Sequence, residues 1–65
     1  MNRRNPAETM SESRRKDLFR ALVEAQDRGM TVEQSRNHVA DHYRVSFQDV
    51  VAIEQEGGDN NWPPL

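Results

Sequence analysis

The stretch RNHVADHYRVSFQDVVAIEQ, Arg36 to Gln55, decides the fold. Val39, Ala40 and Tyr43 recur at three- and four-residue steps, as do Val50 and Ile53, and the pattern is interrupted once, around Val45-Ser46. This is the spacing of two short amphipathic helices joined by a turn, each presenting one apolar stripe. Ser46 followed by Asp49 fits a helix cap whose carboxylate faces the positive helix end, and Val45 stands where it can staple to Val50. Phe47 and Val51 lie one turn apart on the side of that last helix not needed for Val50 and Ile53, and the helix carries no lysine or arginine.

Upstream, Thr31-Val-Glu-Gln34 reads as a second capping box, opening a helix whose core positions are Val32, Val39, Ala40 and Tyr43. Before it, Leu18, Phe19, Leu22, Val23 and Ala25 form the stripe of a first helix, while Arg14, Arg15, Asp17, Arg20, Glu24 and Asp27 take its wet side. That helix begins at a Thr9/Glu12 capping box or at the rival caps Ser11 and Ser13. Gly29, after Arg28, is its left-handed stop. Downstream, Gly57-Gly58 reads as the end of the third helix, and the prolines of Asp59 to Leu65 forbid a helix there. The expected architecture is an all-α three-helix bundle over residues 9–57, with a flexible segment at 1–8 and an extended tail at 58–65. Trp62 with the stiff Pro63-Pro64 suits folding back onto the domain's own apolar groove or docking in a partner's. Fold-back is preferred, because a chain with so thin a core gains from covering it.

A chain of 65 residues makes at most one domain, and at that size only about 60% of the unfolded surface is buried. There is no cysteine and hence no disulfide to compensate. Apolar residues make up 34% and charged residues 31%, so ragged ends are expected. No apolar run approaches the roughly 20 residues needed to cross a bilayer, and MNRRNPAETM lacks the apolar stretch of a secretion signal. The expected location is cytoplasmic, without membrane contact. Residues 1–28 hold seven of the nine basic side chains against five acids, and residues 29–65 hold two against six. The halves therefore carry +2 and −4, an asymmetry that bears on partners rather than on fold.

The spacing of Ala40, Tyr43, Val45, Val50 and Ile53 resembles the helix-turn-helix family over residues 36–55. In that family a small residue lets two helices cross closely, and later hydrophobes pin the second helix. The family often has glycine at the turn, where this chain has Arg44; a left-handed non-glycine residue there costs roughly 1 kcal/mol. A second resemblance, over Gly29 to Ile53, is to ubiquitin-associated three-helix domains, through Gly29-Met30, Val39, Tyr43, Val50 and Ile53. Asp49 departs from that family, which usually has a small apolar residue there.

These features lead to three readings. In the first, the chain is a non-enzymatic regulatory or assembly module binding a protein partner through helix three, with Phe47, Gln48, Val51, Gln55 and the tail's Trp62 as contacts. The second, implied by the helix-turn-helix resemblance, is a DNA-binding regulator. Gln48 would read adenine edges and Arg14, Arg15, Arg36 and Arg44 would meet phosphate. The absence of cations on helix three counts against it, since Lys/Arg contacts to phosphate supply most duplex affinity. The third is a structural subunit ordered within a larger complex. His38 and His42 are four apart on helix two but lack a third ligand, so neither a metal nor a cofactor is expected. Ser46, His42 and Asp41 or Asp49 contain the side chains of a nucleophilic triad. So short a helical chain cannot wall a pocket with oriented oxyanion donors, so no catalytic residue and no small-molecule substrate are expected.

Overall fold

The computed structural model describes residues 10–65. The expected leader at 1–8 and the Thr9 cap lie outside the described residues. Among the described residues three helices follow one another: α1 from Glu12 to Asp27, α2 from Val32 to Tyr43 and α3 from Phe47 to Asn60. Every pair of helices is in contact, so the all-α three-helix bundle is the observed fold.

Local chemistry sets nearly every helix end. The cap of α1 is Ser11, whose Oγ accepts a hydrogen bond from the Arg14 amide at 3.1 Å. At the other end Gly29 takes φ +106°. The Gly29 amide reaches the Gln26 carbonyl at 3.0 Å and the Met30 amide reaches Ala25 at 3.1 Å, the paired bonds of a Schellman stop. Thr31 and Gln34 close a reciprocal capping box on α2, and Ser46 and Asp49 close another on α3. Between α2 and α3, Arg44 adopts φ 59°, ψ 47°. The left-handed turn is real, and a side chain occupies it where glycine is the low-strain choice.

The core consists of Leu18, Phe19, Leu22, Val39, Val50, Ile53 and Trp62, with Ala25 also buried. Val23, Ala40, Tyr43 and Val45 pack against it from the rim. Val45 thus lies on the cluster that contains Val50, as a staple requires.

The expectations need three corrections. Val32, placed in the core by periodicity, is 47% exposed. The inward position one turn on belongs to Ser35, which is wholly buried. Its hydroxyl donates to the Val32 carbonyl at 2.7 Å and accepts from Gln26 Nε2 at 3.0 Å. These bonds make a polar side chain tolerable there.

Second, α3 does not stop at Gly57-Gly58 but continues to Asn60. Gly57 is buried, and a Cβ placed on it would overlap the Phe19 ring, 2.2–2.5 Å from three of its atoms. The glycine is a landing site for α1 rather than a terminator. Termination falls instead to Asn61 at φ 53°, with the Trp62 amide bonded to the Gly57 carbonyl at 3.0 Å. Asparagine is the commonest substitute for glycine at such a left-handed stop.

Third, the segment after residue 57 is not an extended tail outside the domain. It completes α3 and then turns Trp62 inward, to 6% exposure. The indole meets the Phe19 ring edge-on, with centroids 6.1 Å apart and planes at 82°. That geometry adds about 0.5–1.5 kcal/mol beyond the area buried. Lys16 Nζ lies over the indole, 5.7 Å from its centroid. The domain thus runs to Trp62, and fold-back is the observed state of the tail.

Candidate protein-docking face

Four aromatic residues occur in the chain, and their placement separates core from surface. Phe19 and Trp62 are buried, Tyr43 is half-buried, and Phe47 is exposed at 39%. Phe47 is the first residue of α3. Val51, one turn on, is half-buried, while Gln48 and Gln55 are exposed. The ridge from Phe47 to Gln55 is built as it is because Val50, Ile53 and Gly57 take the inward stripe. Residues offset from that stripe are left to solvent. The contacts expected of helix three, Phe47, Gln48, Val51 and Gln55, lie together on its outer side. Trp62 does not join them. Its place in the core removes it from the docking set, because the Phe19 contact and the indole's own burial already use its apolar surface.

The electrostatics of the face follow from α3 itself, which carries Asp49, Glu54, Glu56 and Asp59 and no lysine or arginine. Asp49 is buried. Its Oδ2 accepts from the Ser46 amide at 3.3 Å, and its Oδ1 is enclosed without a hydrogen-bond partner. Glu54 pairs with Arg36 of α2 at 2.7 Å. Glu56 takes a two-pronged contact from Arg15 of α1, Nε to Oε1 at 2.8 Å and Nη2 to Oε2 at 3.0 Å. The remaining guanidinium nitrogen, Nη1, donates to the Met10 carbonyl. Arg14 donates to the Tyr43 carbonyl at 3.2 Å and lies 5.8 Å from the centroid of that ring, a cation at the negative end of α2.

The same contacts decide where the alternative, DNA-directed set falls. Arg14, Arg15 and Arg36 each hold one helix to another. Arg44 occupies the left-handed turn and is exposed, with no ion-pair partner among the described residues, and Gln48 is exposed nearby in sequence on α3. The four arginines are therefore not gathered on one free surface. Sequence reasoning missed the Arg15–Glu56 and Arg36–Glu54 pairs. Their partners lie 41 and 18 residues apart, beyond any local signal.

No group of three or more metal-ligating side chains assembles among the described residues. No helix among them is long and apolar enough to cross a membrane. The chain matches no family model, no curated protein and no solved structure.

Proposed function

We propose that this chain is a small non-enzymatic interaction module that binds a protein partner through the outer ridge of α3. Phe47 and Val51 act as apolar anchors and Gln48 and Gln55 as polar contacts. The observation that carries this reading is the exposure of Phe47, in a chain that draws even Trp62 from its C-terminal end into the core. An exposed aromatic on a helix, next to a partly covered β-branched residue, is the kind of anchor on which interface energy concentrates. The occupant that fits is an apolar socket, since Glu54 and Glu56 of α3 are already paired with Arg36 and Arg15 and Asp49 is buried.

Binding to duplex DNA through the same helix is less well supported. Three of the four candidate arginines have intramolecular roles, and freeing them for phosphate would give up helix-to-helix contacts. A subunit ordered only within a larger complex is also less well supported, since the three capped helices already share one core.

A photo-activated cross-linking residue at position 47 of the full chain, expressed in its native cell, tests the proposal. A discrete protein adduct is expected from position 47 and none from position 17, an exposed site on α1. Cross-linking to nucleic acid, or equal adducts from both positions, would refute it.

A further inference from the structure

The solvent side of α2 carries His38 and His42, four residues apart and both exposed. Spacing alone leaves each imidazole a choice of rotamers. In the folded chain the two rings stand side by side, with centroids 6.0 Å apart and planes only 19° from parallel. Neither ring hydrogen-bonds or ion-pairs with another described residue. Tyr43 meets His42 edge-on, with centroids 5.0 Å apart, on one flank of the pair. His38 also lines a shallow groove with Met30, Gln34, Asn37 and Asp41, so a carboxylate stands on the same face. This half of the chain, residues 29–65, carries a net charge of −4.

We propose that His38 and His42 form a two-imidazole chelate for a divalent transition-metal ion of the Cu²⁺, Ni²⁺ or Zn²⁺ type. Side chains at this helical spacing have Cβ atoms about 5–6 Å apart. The second side-chain torsion of histidine is broad, so both rings can turn out of their near-parallel setting to aim a nitrogen of each at one ion, at the roughly 2.0–2.1 Å that imidazole–zinc bonds require. Water fills the remaining positions and Asp41 offsets charge from outside the coordination shell.

With two protein ligands the site is open and exchangeable, unlike a four-ligand structural centre. Imidazole donors favour Cu²⁺ over Ni²⁺ and Zn²⁺, and give little hold on Mg²⁺ or Ca²⁺, which prefer oxygen. The chelate requires residues 38 to 42 to be helical, so ion binding is linked to folding. It lies on α2, apart from the Phe47 ridge of α3, and does not depend on the docking proposal.

The test uses the full chain at neutral pH with NiCl₂, ZnCl₂ and, as a control, MgCl₂. Melting temperature should rise with Ni²⁺ and Zn²⁺ and stay fixed with Mg²⁺. Substoichiometric CuCl₂ should broaden amide signals most strongly between Gln34 and Tyr43. His38→Gln and His42→Gln should each weaken Ni²⁺ binding at least about tenfold, the lower end of what loss of a mere outer-shell partner costs a metal site. Both side chains are exposed, so circular dichroism should show both variants as helical as the parent. The proposal is overturned if Ni²⁺ leaves melting unchanged, if broadening centres on another part of the chain, or if either variant binds Ni²⁺ as the parent does.

Discussion

Replacing Gly57 by alanine should destabilise the domain even though alanine is the better helix former. Three atoms of the Phe19 ring lie 2.2–2.5 Å from the Cβ that the substitution adds, far inside van der Waals contact. Phe19 is only 4% exposed and is held edge-on by Trp62, so it cannot swing into solvent to make room. Inserting a methyl group into such a contact costs about 1–3 kcal/mol. Removing a glycine from a helix interior returns about 0.8–1 kcal/mol. With the clash near the top of its range, the net loss is about 1–2 kcal/mol, or roughly 5–15 °C in melting temperature for a domain of this size.

Gly58 supplies the control. It sits in the same helix with nothing within 4 Å of its added Cβ. Gly58→Ala should therefore raise stability by about 0.5 kcal/mol, close to the helix end where the propensity gain is partial. Thermal melts followed by circular dichroism on the two variants, side by side, read both signs. A Gly57→Ala protein as stable as the parent would refute the close approach of α1 to α3, and with it the reason α3 continues past its two glycines.

Other substitutions probe the remaining contacts. Trp62→Ala should cost about 3–5 kcal/mol, enough to abolish cooperative melting in a domain this small; a melt within a few degrees of the parent would mean the indole is not core. Arg44→Gly should stabilise by about 0.5–1 kcal/mol by relieving the left-handed backbone at φ 59°, and a destabilised variant would contradict that conformation. Ser46→Ala should cost about 1 kcal/mol, since the Asp49 amide loses its 2.9 Å acceptor; denaturant midpoints at constant slope are the measure, and no change would argue against the cap.

Legibility in the sequence tracked how local each determinant is. The Thr31 and Ser46 capping boxes and the Gly29 stop involve residues three to five apart, and all three stand where the sequence places them. The helix-turn-helix resemblance points to Arg44 as the place where a left-handed residue would fall, and the turn there is left-handed. Gly57 reads as a stop in the sequence because a glycine that ends a helix and one that admits a neighbouring ring look alike until the neighbour is known. Val32 and Ser35 exchanged roles for a related reason. Hydrophobicity favoured the valine, but the Gln26 side chain, nine residues from Ser35, decided which was inside.

Trp62 was legible as an anchor with two destinations, and only the packing of Phe19 selected one. At the candidate face, periodicity around Val50 and Ile53 puts Phe47 beside the core stripe but does not say whether the tail covers it; the packing of Trp62 on Phe19 leaves it exposed. The engagement of Arg14, Arg15 and Arg36 did not, because it depends on helix-to-helix geometry.

The most direct test of the central claim, that α3 keeps an apolar ridge for a partner and not for its own core, is Phe47→Asp measured two ways on one protein. Melting should shift by no more than about 2–4 °C, since exposed substitutions change stability by about 0.5 kcal/mol or less and an aspartate suits the first turn of a helix. Cross-linking from position 55 to the partner should disappear. Loss of the cooperative melt would show that Phe47 belongs to the core, and an undiminished adduct would show that the partner does not use it; either result contradicts the account.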